Sequence, residues 1–367
     1  MTNIICVAAQ QRGVYCQTFI RAHIERLPAR TVRELYITEL AAFADDRPGI
    51  IKKFLIDGGV EVLLAEFGDT GVDVMEACHA AGVPLVVRFG GADAYCETGK
   101  WHYLRPYYLP LFNSSASIVA VSRDMERQLV RLGVPPTKLH YCPSGADTEL
   151  FQGAKPASAA PIFVSVGRFV DKKAPDLTLW AFAKVFKACP EARLIMVGGG
   201  YLLQACKRLA RVLGLEDAVE FRGECLHQEV AAIMRGARCF VQHSIRASNG
   251  DSEGTPNSVM EAGACGLAVV ATRHAGIADV VIDGETGLLV DEGDVNGMAQ
   301  HMLRLALDEK SAGRLGERAR ERVCREFSLD RSIGQLWDIM LRAKRSARIQ
   351  PSTVSAGSAL DSISDVD

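Results

Sequence analysis

The sequence predicts an α/β protein built from two doubly wound, parallel-sheet halves. Three observations lead there. Short β-branched runs alternate with helical spacing along most of the chain. Several of these runs end in glycine, as strands do when they turn into a helix. The length, 367 residues, exceeds what one ordinary core accommodates. Runs that are apolar throughout, rather than alternating, mark parallel strands covered on both faces.

The second half carries the pattern most clearly. PIFVSVG and ARLIMVGGG are strands closed by glycine turns, followed by the helices DLTLWAFAKVFKA and LLQACKRLARVLG. AVEFRG, CFVQHS, LAVVAT and TGLLV are further strands. In the first half, NIICVAA, ELYITEL, EVLLAEF, PLVVRFG and SIVAVS are the strands. FIRAHIERL, IIKKFLIDG, DVMEACHAAG and DMERQLVRLG are the helices. Pro106 and Pro110 are expected to interrupt any helix between His102 and Ser114. Periodicity breaks at Glu149 to Ala160, ELFQGAKPASAA, which reads as a linker. The chain thus divides into Rossmann-like domains over 1–150 and 151–335 and a helix over 336–347 expected to return to the first domain. A serine-rich tail over 348–367 is too polar to offset its chain entropy and is expected to be disordered.

Composition narrows the function. Apolar residues make up 48% and charged residues 23%, ordinary for a soluble globular protein. A formal net charge of -2 argues against broad nucleic-acid binding. Eleven cysteines, with no C-x-x-C pair, fit reduced core thiols in a cytosolic protein rather than a zinc site. MTNIICVAAQ reads as a strand rather than a signal peptide. No apolar run approaches the ~20 residues of a membrane helix, which leaves peripheral membrane contact open.

Two clusters carry the chemistry. Residues Glu253 to Val270 read EGTPNSVMEAGACGLAVV. Thr255 can cap a helix and Pro256 suits its first turn, so a helix is expected from about Pro256 to Ala264, stopped by Gly266. Its N-terminus then lies at a strand end, where free amides favour phosphate. Glu261 would sit about 7–8 Å along the axis, within reach of an adjoining ribose, whose hydroxyls a carboxylate can accept. Glu253, on the loop NGDSEG, can reach across the phosphate toward a sugar. The competing reading is two ordinary surface charges. In the second cluster, GRFVDKKAPD, Arg168 and Lys173 lie in a strand-to-helix loop and can converge on phosphate, unless they are simply solvated.

With SVGRFVDKKAP, VGGG at Val197 to Gly200, EGTPNSVMEAGACGLAVVAT and GIADVVIDGETGLLV in this order, the sequence resembles the retaining GT-B glycosyltransferases of family 4, glycosyl transferases group 1, of the polysaccharide-biosynthesis type. The resemblance covers Pro161 to about Phe327. It is weaker in CQTFIRAHIERLP and in VSRDMERQLVRLGVPPTKLHYCPSGADTELF. It implies two domains facing a cleft, the first on the acceptor side and the second binding a nucleotide-sugar. Transfer would go to a polysaccharide or glycolipid acceptor with retained anomeric configuration, as in a hexosyltransferase of class EC 2.4. Arg168 and Lys173 would hold the donor pyrophosphate and stabilise its departure, Glu261 the ribose and Glu253 the donor sugar. Gly167, Gly199, Gly254, Thr255, Pro256 and Asn257 would line the donor pocket, with the base near Phe221, Arg222 and Gly223. Gly13 would allow close approach of phosphate or acceptor, unless it is an ordinary turn. No metal and no cofactor are implied, and no D-x-D stretch sits in a suitable loop. The implied location is cytoplasmic, with peripheral contact at the inner face of the membrane.

One departure matters. The family commonly carries His-Gly-x-Asp after a first-domain strand. RFGGADAY places Gly90 at the histidine position, while Gly91 and Asp93 match. Asp93 is therefore a candidate catalytic substitute, and a binding or scaffold protein with weak or no transfer is the alternative function. Weaker signals are His243 and Ser244 after CFVQ, the aromatic group Trp101, Tyr103, Tyr107 and Tyr108, and Arg123, Arg127 and Arg131 at helical spacing.

Overall fold

The structure, a computed structural model, describes residues 3–13 and 18–349. Two six-stranded sheets form its frame, and every pairing within them is parallel. The first holds β1 (Ile4–Ala9), β2 (Thr31–Tyr36), β3 (Val62–Glu66), β4 (Leu85–Phe89), β5 (Ser117–Ala120) and β6 (Leu139–Tyr141), in the order β2-β1-β3-β4-β5-β6. The second holds β7 (Ile162–Val166), β8 (Arg193–Val197), β9 (Val219–Gly223), β10 (Cys239–Gln242), β11 (Ala268–Thr272) and β12 (Gly287–Val290), in the order β12-β11-β10-β7-β8-β9. The central strands are buried on both faces, as their unbroken apolar runs require.

The strand order locates the ligand crevice. In the second sheet the direction of progression reverses between β7 and β10, and open α/β sheets bind ligands beyond the carboxyl ends of the strands at such a point. Arg168 follows β7, and Ser244 follows β10. In the first sheet the reversal falls between β1 and β3.

Helix Leu329–Ile349 crosses back to the first sheet, beginning earlier than the 336 expected from sequence. Its Ile333, Leu336, Ile339 and Met340 share one core with Ile5, Val7, Val86 and Val119. The two chain crossings between domains touch each other. The amide of Ala146 donates to the Phe327 carbonyl at 2.9 Å, and that of Leu329 to the Ala146 carbonyl at 2.8 Å. The described cysteines are free, and most are buried. No described helix is long and apolar enough to cross a membrane.

A further expectation changes. Helix Lys100–Ser114 runs unbroken through Pro106 and Pro110. Both prolines lie on its exposed face, where a carbonyl that loses its amide partner can turn toward solvent. The tail beyond 349 lies outside the described residues.

Candidate active site

The site grows from two turns that interlock. After β8, Gly198 adopts φ +134°, and a side chain there would collide with the Gly167 carbonyl. The amide of Phe169 donates to the Gly199 carbonyl at 2.7 Å, and that of Gly198 to the Gly223 carbonyl at 2.7 Å. The loops after β7, β8 and β9 are thereby tied together, with the Phe169 and Phe221 rings 6.0 Å apart. Arg222 pairs with Glu220 at 2.6 Å on β9, and both are half-exposed. Arg168 projects from this assembly, exposed and in no ion pair among the described residues. Lys173 ends the short turn Asp171–Lys173, ahead of helix Pro175–Ala188.

Lys173 meets the second cluster directly. Its Nζ lies 2.9 Å from Glu253 Oε1. Ser244 Oγ also donates to Glu253 Oε1 at 3.3 Å, and Gln242 Nε2 donates to Ser244 Oγ at 2.8 Å. Ser258 Oγ in turn donates to Gln242 Oε1 at 3.0 Å. Burial pushes the Glu253 carboxyl up, but Lys173 and Lys172 outweigh it and hold the group at about 2. Glu261, on helix Asn257–Cys265, shows the opposite balance: burial raises it to about 7, against a smaller lowering by Lys173. His227 Nε2 stands 3.8 Å from Glu261 Oε1. One ammonium therefore acts on both carboxylates and holds only one firmly ionised.

The helix N-terminus differs from expectation. Thr255 does not cap it; its hydroxyl donates to the Val121 carbonyl of the first domain, and Pro256 occupies the cap position. Asn257 Oδ1 is buried and has no hydrogen-bond partner among the described residues. Gly254 packs so closely on the Gly90 carbonyl that a side chain would collide with it. This loop is where the two domains meet.

Families of known proteins match both halves. The family described as glycosyl transferases group 1 matches residues 147–322, and glycosyltransferase family 4 matches residues 12–150. WcaL of Salmonella typhimurium, provisionally named as a colanic acid biosynthesis glycosyltransferase, is 30% identical over 274 residues, 73% of this chain and 67% of that protein. The amylovoran biosynthesis glycosyltransferase AmsK of Erwinia amylovora is 30% identical over 294 residues, 77% of this chain and 70% of that one. The chain belongs to the family 4, group 1 glycosyltransferases. A GDP-mannose-dependent α-(1-6)-phosphatidylinositol monomannoside mannosyltransferase of Mycobacterium tuberculosis is likewise 30% identical over 300 residues, 75% and 78% of the two chains. The crystal structure of Anabaena HepE in complex with UDP-glucose superposes with a TM-score of 0.75 at 16% identity, over 93% of this chain and 99% of that one. That likeness gives the glycosyltransferase the GT-B fold.

On the first-domain side of the glycosyltransferase, Asp93 departs from the expected catalytic role. It is 0% exposed, and its carboxylate accepts the amides of Gly68 (3.1 Å), Gly90 (3.0 Å) and Gly91 (2.7 Å). Burial lifts its carboxyl to about 6 despite those donors. Enclosed in this way, Asp93 holds the Gly90–Gly91 turn. Gly13 has φ +70° and open space where a side chain would stand. His243 turns away from the cleft: its Nε2 accepts the Gly293 amide at 2.9 Å, and burial lowers it to about 4. Of the aromatic group, Tyr108 is core, while Tyr103 and Tyr107 are exposed. Arg123 and Arg127 pair with Glu126 and Asp124.

Several polar groups had no local signal in the sequence. Lys172 is buried and donates to Asp251 Oδ1 and to the Ser252 carbonyl, each at 3.0 Å. His23, Glu66 and Arg88 form a buried cluster in the first domain; Arg88 spans Glu66 Oε2 (3.4 Å) and Ser144 Oγ (2.6 Å). His274 accepts the Glu253 amide. These partners lie tens of residues apart in sequence, and only folding brings them together.

Proposed function

We propose that the enzyme transfers a sugar from a nucleotide-sugar donor to a polysaccharide or glycolipid acceptor, with retention of configuration and without a metal. The observation that carries this is the Lys173–Glu253 pair at 2.9 Å, set at the switch point with Arg168, in no ion pair among the described residues, on the same loop. A donor pyrophosphate placed there would engage Arg168 by its fork of donors and Lys173 as a point charge. Glu261 would accept the ribose hydroxyls, and Glu253 would orient the sugar.

The chemistry follows from charge. The C1–O bond to phosphate breaks, and positive charge develops on the sugar ring as negative charge grows on the leaving oxygen. Fixed cations beside that oxygen stabilise the transition state more than the ground state. The acceptor hydroxyl bonds to C1 from the face the phosphate leaves, and its proton passes to the departing phosphate. The roles of AmsK in amylovoran biosynthesis and of the mannosyltransferase on phosphatidylinositol monomannoside support a glycan or glycolipid acceptor. The exposed Tyr103 and Tyr107, in a helix with no acidic residue, support work at the inner face of the cytoplasmic membrane.

The test is nucleoside diphosphate release from a panel of UDP- and GDP-sugars, with membrane extract as acceptor and with EDTA present. Release from one donor, lost in Arg168→Ala, and a product whose anomeric configuration by NMR matches the donor are expected. Release that needs a divalent cation, or an inverted product, would count against the proposal.

A further inference from the structure

The loop that carries Glu253 is held at both ends by groups outside the donor cluster. His274 follows β11 and is 3% exposed. Its Nε2 accepts the Glu253 amide at 3.2 Å, which places the ring hydrogen on Nδ1, 2.5 Å from Glu292 Oε1. The other Glu292 oxygen accepts the Arg246 amide at 2.8 Å. Arg246 then reaches out of its domain, and its guanidinium donates to Glu97 Oε1 of the first domain at 2.7 Å. The Glu97 amide donates back across the cleft to the Asn249 carbonyl at 2.9 Å. The bonds run without a gap from the first domain to the backbone of Glu253.

We infer that His274 is a positioning residue that couples closure of the two domains to the placement of Glu253. The inference rests on the donor-site role proposed for Glu253. A carboxylate held by Lys173 at one end of its residue and by an imidazole acceptor at the other has one backbone setting. Glu292 makes that setting depend on Arg246, and Arg246 responds to whether Glu97 is present across the cleft. When the domains part, Arg246 loses its partner and the 246–253 loop loses its anchor to the first domain. The exposed Arg246–Glu97 pair contributes little strength by itself, so its part is to report closure rather than to enforce it.

Amide hydrogen exchange of the ligand-free enzyme tests this without relying on any donor. His274→Leu removes both ring partners, and exchange in peptides spanning Arg246 to Gly254 should quicken about tenfold. His274→Gln keeps one acceptor for the Glu253 amide and should recover most of the protection. Glu97→Gln should quicken the same peptides by a smaller factor in the wild type and by none in His274→Leu. If His274→Leu does not fold, Glu292→Gln carries the same test, since it weakens the hold on the ring while leaving the core intact. Unchanged exchange in these variants, or additive effects of Glu97→Gln and His274→Leu, would overturn the inference. Calorimetry with UDP, GDP and their glucose and mannose derivatives then separates the two claims. Sugar-dependent affinity should fall about tenfold in His274→Leu while affinity for the bare diphosphate stays within about twofold. An equal fall for both would make His274 a folding residue only. A wild type that binds no nucleotide would sink the donor-site role, and the exchange result would still decide whether His274 couples the loop to closure.

Discussion

The ring of Phe67 occupies the space that any side chain at Gly90 would need: a Cβ built on Gly90 collides with Phe67 Cε1. Phe67 is itself held at φ +71°, a conformation uncommon for a bulky residue, and its ring packs edge-on to Phe19 at 5.8 Å. Glycine at position 90 and phenylalanine at position 67 are therefore a matched pair. The missing family histidine is accompanied by an aromatic ring in its place. Gly90→His should cost roughly 1–3 kcal/mol by overpacking, measured by urea denaturation. Adding Phe67→Gly, which opens the space and relaxes the backbone, should return part of that loss. A fully stable Gly90→His single variant would show that the two positions are not coupled.

Asp93 gives a stability prediction rather than a catalytic one. Removing its carboxylate in Asp93→Ala orphans amides at Gly68, Gly90 and Gly91, each buried or partly buried. The expected cost is on the order of 2–4 kcal/mol, seen in thermal unfolding. Asp93→Asn supplies one acceptor oxygen instead of two and should fall between. A stable but inactive Asp93→Ala protein would restore the case for a direct chemical role.

Glu261 makes stability and binding depend on pH in opposite senses. Its folded pKa, about 7, lies above the ordinary glutamate value, so the folded state binds this proton more tightly than the unfolded chain. The stabilisation is fully present below the unfolded value near 4.5 and is lost as pH rises through about 7, a span worth roughly 3 kcal/mol. Glu261→Gln should remove that slope from urea-denaturation curves of the ligand-free enzyme. Nucleotide affinity should instead rise between pH 6 and pH 8 in the wild type, as the carboxylate forms to meet the ribose, and stay level in the variant.

The Lys173–Glu253 pair should be revealed by a double-mutant cycle. Lys173→Met leaves a buried carboxylate without the ammonium that pairs with it, at a cost of about 3–5 kcal/mol. Lys173→Met with Glu253→Gln removes both charges and should be more stable than Lys173→Met alone. Additive losses in denaturation would mean that the contact carries no coupling.

Much of the fold was legible because parallel strands buried on both faces are apolar over most of their length. Eleven of the twelve strands overlap runs read from the sequence, although β2 and β9 are partly exposed and carry charged residues, whereas β6, Leu-His-Tyr, is half-buried throughout and carries no such mark. The positions of the residues proposed for the donor side were legible too, since Arg168, Lys173 and Glu253 sit in loops beyond strand ends and Glu261 on the helix that follows. What depended on the meeting of domains was not. Thr255 has the chemistry of a cap but spends its hydroxyl on Val121. Asp93 has the chemistry of a catalytic acid but is enclosed by the turn it organises. His274 and Glu292 acquire their partners only when both sheets are in place.

Arg168 offers the most direct test of a donor site at the switch point. It is exposed and unpaired among the described residues, so Arg168→Ala should leave the fold intact. Isothermal calorimetry of UDP and GDP against both proteins is the measurement. The account predicts that one diphosphate binds the wild type and binds Arg168→Ala at least tenfold more weakly, about 1.4 kcal/mol. Equal affinity in the two proteins, or binding of neither diphosphate to the wild type, would contradict it.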